Sequence, residues 1–116
     1  MREVYQGEVF WFDLGPIFGS APGERHPCVV VQSDLFNRSR ISTTVVCVIT
    51  SNESLTRGPG NVLVKKGEAN LLRDSVVNVT QVATVDRSEL VERIGKLPAD
   101  TVEAIREGLQ LLFDRM

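Results

Sequence analysis

Apolar and polar residues alternate with a period near two along most of this chain, and near 3.6 only at its end. Residues 7–14, GEVFWFDL, read as a strand. Residues 15–24, GPIFGSAPGE, hold three Gly and two Pro and read as a long loop. A β-branched strand follows over 28–32, opened by Pro27, where a missing N–H is tolerated. Ser33 and Asp34 then predict a short helical turn over 35–39. Residues 43–50, TTVVCVIT, predict another strand, and 51–60 a polar loop. A short strand is expected at 61–65, with a turn after it. Over 75–85 the alternation puts Val77, Val79 and Gln81 on one face and Val76, Asn78, Thr80 and Val82 on the other. Residues 90–97 read as an edge strand around Gly95. After Pro98, Val102, Ile105, Leu109, Leu112 and Phe113 recur at helical spacing, predicting an amphipathic helix over about 99–114. Asp100 and Glu103 are placed as in a capping box. Five or six short strands and one late helix predict a mainly β domain, a small, twisted antiparallel barrel over residues 1–116.

Composition narrows the class. The 116 residues are 42% hydrophobic and 24% charged, as in an ordinary globular domain. No apolar run is long enough to cross a membrane, and the N-terminus has no signal-peptide pattern. Cys28 and Cys47 lie in apolar β-like runs and are expected as buried free thiols, which points to the cytoplasm. One His and two isolated Cys supply no metal-ligand spacing, and no metal or other cofactor is expected. No phosphate-binding Gly-rich loop or serine-nucleophile motif is present.

The net charge of −2 argues against nucleic acid, but its distribution does not. Residues 25–73 carry seven basic groups against three acids, while the segments on either side are acidic. A cationic middle between acidic ends offers a local phosphate-binding face.

The motifs GEVFWFDL, a Gly-rich loop, RHPCVVVQSD, VVCVITS and RDSVVNVTQVATVD follow one another in order over residues 5–115. In that order and spacing the chain resembles the MazF/PemK toxins of bacterial toxin–antitoxin pairs. The resemblance implies an SH3-like barrel of the CcdB/Kid/MazF type with appended helices, and a homodimer. It implies a metal-independent, ribosome-independent endoribonuclease (an mRNA interferase) cutting single-stranded RNA at a short sequence. It also implies a small antitoxin whose acidic tail fills the RNA groove. Cleavage would proceed by attack of the RNA 2′-hydroxyl on the adjacent phosphate, leaving a cyclic phosphate and a 5′-hydroxyl.

That reaction needs a proton acceptor, a proton donor and groups that bind the phosphorane charge. The candidate catalytic residues are Arg25, a fixed fork of donors, His26, which can transfer a proton near neutral pH, and Thr50, a hydroxyl donor. Candidates for RNA binding are Phe18, Ser51, Arg57, Lys65, Lys66, Arg73, Thr80 and Gln81, with Phe18 placed to stack on an unpaired base. Trp11 is expected in the core or at a subunit interface, and Asp74 as a turn former. The chain departs from the family pattern twice. The family's motif has Arg immediately before Pro, where His26 stands here, with Arg25 one residue earlier. Some members carry a carboxylate where this chain has Thr80. The competing classes are a CcdB-like toxin that poisons gyrase by protein contact and a barrel that binds RNA without cutting it.

Overall fold

The computed structural model describes residues 2–13 and 24–115. The expected loop 15–24, with Phe18, lies outside the described residues apart from Glu24. Six antiparallel strands form one sheet: β1 (Glu8–Asp13), β2 (Arg25–Val30), β3 (Thr43–Thr50), β4 (Val62–Val64), β5 (Ser75–Asp86) and β6 (Glu92–Lys96). Their spatial order is β4-β5-β3-β2-β1-β6. A four-residue helix α1 (Asp34–Asn37) follows β2, and α2 (Ala99–Phe113) ends the fold. Among the described residues, no helix is long and apolar enough to cross a membrane.

The sheet curls until a turn at Glu68–Asn70, between β4 and β5, meets the opposite edge strand β6. Asn70 Nδ2 donates to the Ile94 carbonyl at 2.9 Å. Gly95 lies so close to the Ala69 backbone that an added Cβ would sit 2.7 Å from the Ala69 oxygen, so a side chain is excluded there. Curling buries an interior face. Val9, Val29, Cys47, Ile49, Val64, Val77 and Leu97 fill it, and Ile105 of α2 closes one end. The outer face carries a smaller core of Val4, Phe10, Cys28, Val30, Val46, Val85 and Leu90.

Three expectations change on contact with the fold. First, β2 begins at Arg25, three residues early. Pro27 stands inside the strand opposite Trp11, and it is tolerated because the ladder to β3 begins only at Cys28. Second, the alternation of 75–85 is interrupted. Val48 pairs with Asn78 and the next residue back, Cys47, pairs with Val82, so residues 79–81 bulge from β5. Asn78 ties the bulge: its Oδ1 accepts from the Thr80 hydroxyl at 2.8 Å, and its Nδ2 donates to Gln81 Oε1 at 3.1 Å. Third, the capping box does not form. The helix starts at Ala99 with Pro98 at the N-cap and no side-chain cap. Asp100 therefore falls within the first turn, accepting from the Thr101 N–H, and Glu103 pairs with Arg106.

Helix α2 docks by backbone contact. A Cβ on Gly108 would lie 2.1 Å from the Gly60 carbonyl oxygen, so both glycines are needed for this approach. Val102, Ile105 and Leu109 of the expected stripe pack on the interior core. Leu112 and Phe113 do not, and with Leu111 they stay exposed.

Cys28 and Cys47 are buried and free. They sit on neighbouring strands, one on the outer face and the other on the interior face. Burial pushes both thiols up to about 12.

Candidate active site

Strand alternation decides where the triplet Arg25-His26-Pro27 points. Trp11 pairs with Pro27, Phe12 with His26 and Asp13 with Arg25, without a register break. Successive side chains point to opposite faces. Arg25 and Pro27 therefore share the interior face with Trp11, and His26 shares the outer face with Phe12 and Cys28. The β2–β3 ladder pairs Cys28 with Val48. The ladder ends there, and His26 and Thr50, each two residues further along its strand, both line the groove described next. The strand ends thus carry an imidazole, a hydroxyl and a guanidinium to one groove.

Among the described residues, a groove of about 470 Å³ lies at these strand ends. Trp11, Pro27, Ile49, Leu71 and Ile94 give it apolar walls. Its lip carries Arg25, His26, Thr50 and Ser51 at the strand ends, with Asn70, Leu72 and Arg73 from the turn before β5.

Thr50 is half-buried at the end of β3, and its Oγ1 accepts from the Asn52 N–H at 3.2 Å. That bond uses an acceptor lone pair and leaves the hydroxyl hydrogen to donate. His26 Nε2 lies 3.5 Å from Glu24 Oε1, an ion pair when the imidazole is protonated. Arg25 donates through both terminal nitrogens to Glu92 of β6, at 2.9 and 3.1 Å, a bidentate pair. The pair holds the Glu92 carboxyl below the usual carboxylate range and raises Arg25 further, so both stay charged. The Arg25 guanidinium carbon also stands 5.6 Å from the centre of the Trp11 ring.

Of the sequence candidates, Arg25, His26, Thr50, Ser51 and Arg73 gather at the groove. Arg57, at the end of a short helical turn (Glu53–Arg57), and the exposed Lys65 and Lys66 do not line it. Thr80 and Gln81 are drawn off by the β5 bulge, which spends their side chains on Asn78. Asp74 is the turn former expected of it: its Oδ1 accepts the Lys66 N–H at 2.8 Å. Trp11, expected in the core or at a subunit interface, is half-buried within the chain and lines the groove. Glu24 and Glu92 escaped the sequence reading. Glu92 pairs with Trp11 across β1 and β6, a neighbour 81 positions away in the chain that local pattern cannot reveal. Among the described residues no three His, Cys, Asp or Glu side chains cluster as a metal site would.

Comparison with known proteins agrees with this architecture. A family model described as PemK-like, MazF-like toxin of type II toxin–antitoxin system matches residues 5–113. The endoribonuclease MazF6 of Mycobacterium tuberculosis is 42% identical over 111 residues, covering 96% of this chain and 97% of that protein. The endoribonuclease EndoA of Bacillus subtilis is 32% identical over 108 residues, covering 93% and 92%. Among solved structures, MazF from Deinococcus radiodurans superimposes with a TM-score of 0.73 at 24% identity, covering 97% of each chain. A mycobacterial endoribonuclease in complex with its cognate antitoxin gives 0.72 at 21% identity, covering 96% of this chain and 93% of that one. The chain belongs to the PemK-like, MazF-like toxins of type II toxin–antitoxin systems.

Proposed function

We propose that this protein is a sequence-specific, ribosome-independent endoribonuclease toxin that cuts single-stranded RNA within the groove at the ends of β2 and β3. The observation that supports the catalytic assignment is that His26, Thr50, Arg25 and Arg73 line one groove. The relatives named as endoribonucleases support the activity.

The chemistry follows from these groups. The RNA 2′-hydroxyl attacks the adjacent phosphorus, the new 2′-O–P bond forms and the P–O5′ bond breaks. The products are a 2′,3′-cyclic phosphate and a 5′-hydroxyl. A proton leaves the 2′-oxygen and a proton is supplied to the departing 5′-oxygen. His26 is the side chain at the lip suited to proton transfer near neutrality, with the Glu24 carboxylate beside it. Thr50 directs its hydroxyl hydrogen to a non-bridging phosphate oxygen, where negative charge grows. Arg25 and Arg73 place positive charge beside the backbone, and Ser51 adds a hydroxyl at the lip. The exposed Arg57, Lys65 and Lys66, outside the groove, are proposed as further contacts to the RNA backbone.

The natural partners are RNA, a small antitoxin and a second copy of the chain. The complex of a related fold with its cognate antitoxin supports the second. The exposed apolar end of α2, Leu111 to Phe113, supports the third, and light scattering at micromolar concentration should report a dimer. Two buried free thiols support a reducing, cytoplasmic setting.

The activity is tested by incubating purified protein with long single-stranded RNA in EDTA. Discrete fragments with 5′-hydroxyl ends are expected. Intact but retarded RNA would leave a binding barrel only, and intact, unretarded RNA would return the gyrase-poison class to consideration.

A further inference from the structure

Arg25 is an unusual candidate for a phosphate clamp, because its donor edge is already occupied. Glu92 takes both terminal nitrogens in a fork-to-fork pair. A guanidinium is also a flat π system, and bidentate pairing at its edge leaves its faces open for stacking. The central carbon of the Arg25 guanidinium lies over the Trp11 ring, 5.6 Å from the ring centre and within cation–π reach. Trp11, Arg25 and Glu92 come from three adjacent strands and share the interior face, so the sheet itself aligns them. Apolar Ile94 and the largely exposed Leu72 stand on the same groove. The groove volume falls in the range of about 300–1,000 Å³ found for small-ligand pockets.

We propose that Trp11 and Arg25, held together by Glu92, form a stacking shelf that binds one unpaired base of the RNA beside the bond cut at His26 and Thr50. The inference rests on the RNA-cleaving reading and adds a specificity-determining role to it. A base suits the shelf better than an acidic peptide does. A peptide carboxylate has to displace Glu92 from the guanidinium edge, whereas a planar base uses the face that Glu92 leaves open. Stacking on arginine planes and aromatic rings is how single-stranded RNA bases are generally held.

Trp11 is the single tryptophan of the chain, so its fluorescence reports on the shelf alone. The probes are a fluorescein-labelled random pool of 2′-O-methyl RNA heptamers, which resists cleavage, and an abasic heptamer of the same backbone. Binding is followed by anisotropy and the shelf by Trp11 emission, using unlabelled oligonucleotide. The base-bearing pool should quench Trp11 and bind about five- to a hundredfold tighter than the abasic chain. Arg25→Lys keeps the charge and loses the plane, and should bring the two affinities together. Glu92→Gln should weaken base-bearing binding only about two- to fivefold, as expected for an exposed pair. Circular dichroism checks that both variants fold.

Equal quenching by both probes, or an Arg25→Lys variant with wild-type preference, would overturn the shelf while RNA cleavage persists. Quenching by an acidic peptide and not by RNA would assign the groove mouth to a protein partner and overturn it too. Failure to bind either heptamer or to cleave RNA would remove the RNA reading itself, and the shelf with it.

Discussion

The groove mouth and the α2 seam are built on opposite principles. At the mouth, half-buried and exposed side chains are held by a few hydrogen bonds, the bidentate Arg25–Glu92 pair and the His26–Glu24 contact. At the seam, Gly108 and Gly60 press backbone on backbone with no room for a methyl group. A change at the mouth meets exposed side chains, whereas a change at the seam meets backbone. Substitutions at the mouth should therefore cost activity and spare stability, and those at the seam should do the reverse.

The largest expected effect is at the mouth. Thr50→Val keeps the shape and removes the hydroxyl. Single-turnover cleavage should slow by about 10²–10³-fold, as for loss of one oxyanion donor. The urea midpoint should stay close to wild type, with stability changed by no more than about 0.5 kcal/mol. A variant that cuts at the wild-type rate would make Thr50 a strand-end residue and nothing more.

Gly108→Val sharpens the other side. The new side chain meets the Gly60 carbonyl, which belongs to backbone and cannot swing away. Denaturant titration should show a loss of about 3 kcal/mol. Where the variant remains folded, its cleavage rate should match the wild type. A neutral result would mean that α2 docks less tightly than the contact implies.

The buried thiols give the scaffold a pH signature that the mouth lacks. Their folded values near 12 stand above the ordinary thiol value of 9.0. Below that ordinary value both states keep the proton and stability is full. Above it the unfolded chain loses protons that the folded chain retains, so stability falls through a window from about pH 9 to 12. The slope is at most about 1.4 kcal/mol per pH unit for each thiol. Urea titrations from pH 8 to 11 on wild type and on Cys28→Ala/Cys47→Ala should differ in slope over that window. Parallel curves would place these thiols in contact with water.

The smallest effect tests whether the exposed surface matters at all. Glu103→Gln breaks the exposed pair with Arg106 on α2. It should cost about 0.2–0.5 kcal/mol in thermal or urea unfolding and leave cleavage unchanged.

Sequence pattern revealed the scaffold better than the site. The run TTVVCVIT is β-branched and apolar and became β3 over the residues expected. The stripe through Val102, Ile105 and Leu109 became the docked part of α2 because helical periodicity is a local signal. Leu112 and Phe113 fit the same stripe but run past the barrel, and only the tertiary contact decides that. Thr80 and Gln81 were misplaced because a three-residue bulge is fixed by Asn78 and Asn61, not by alternation. The triplet RHP was legible as a candidate, yet which face each residue takes depends on where β2 begins. Starting the strand at residue 28 left Arg25 and His26 outside it and hid the split between them. The partner Glu92 was out of reach altogether, since it joins the site through β6 pairing with β1.

The central claim is that this alternation divides the labour, with His26 serving bond cleavage and Arg25 serving RNA binding. Single-turnover cleavage of one RNA across a range of enzyme concentrations separates the two. His26→Ala should lower the saturating rate by about 10²–10⁴-fold and leave the half-saturating concentration near wild type. Arg25→Ala should raise the half-saturating concentration by about five- to a hundredfold and largely keep the saturating rate. A His26→Ala enzyme that cuts at the wild-type rate, or two variants that fail in the same parameter, would contradict the account.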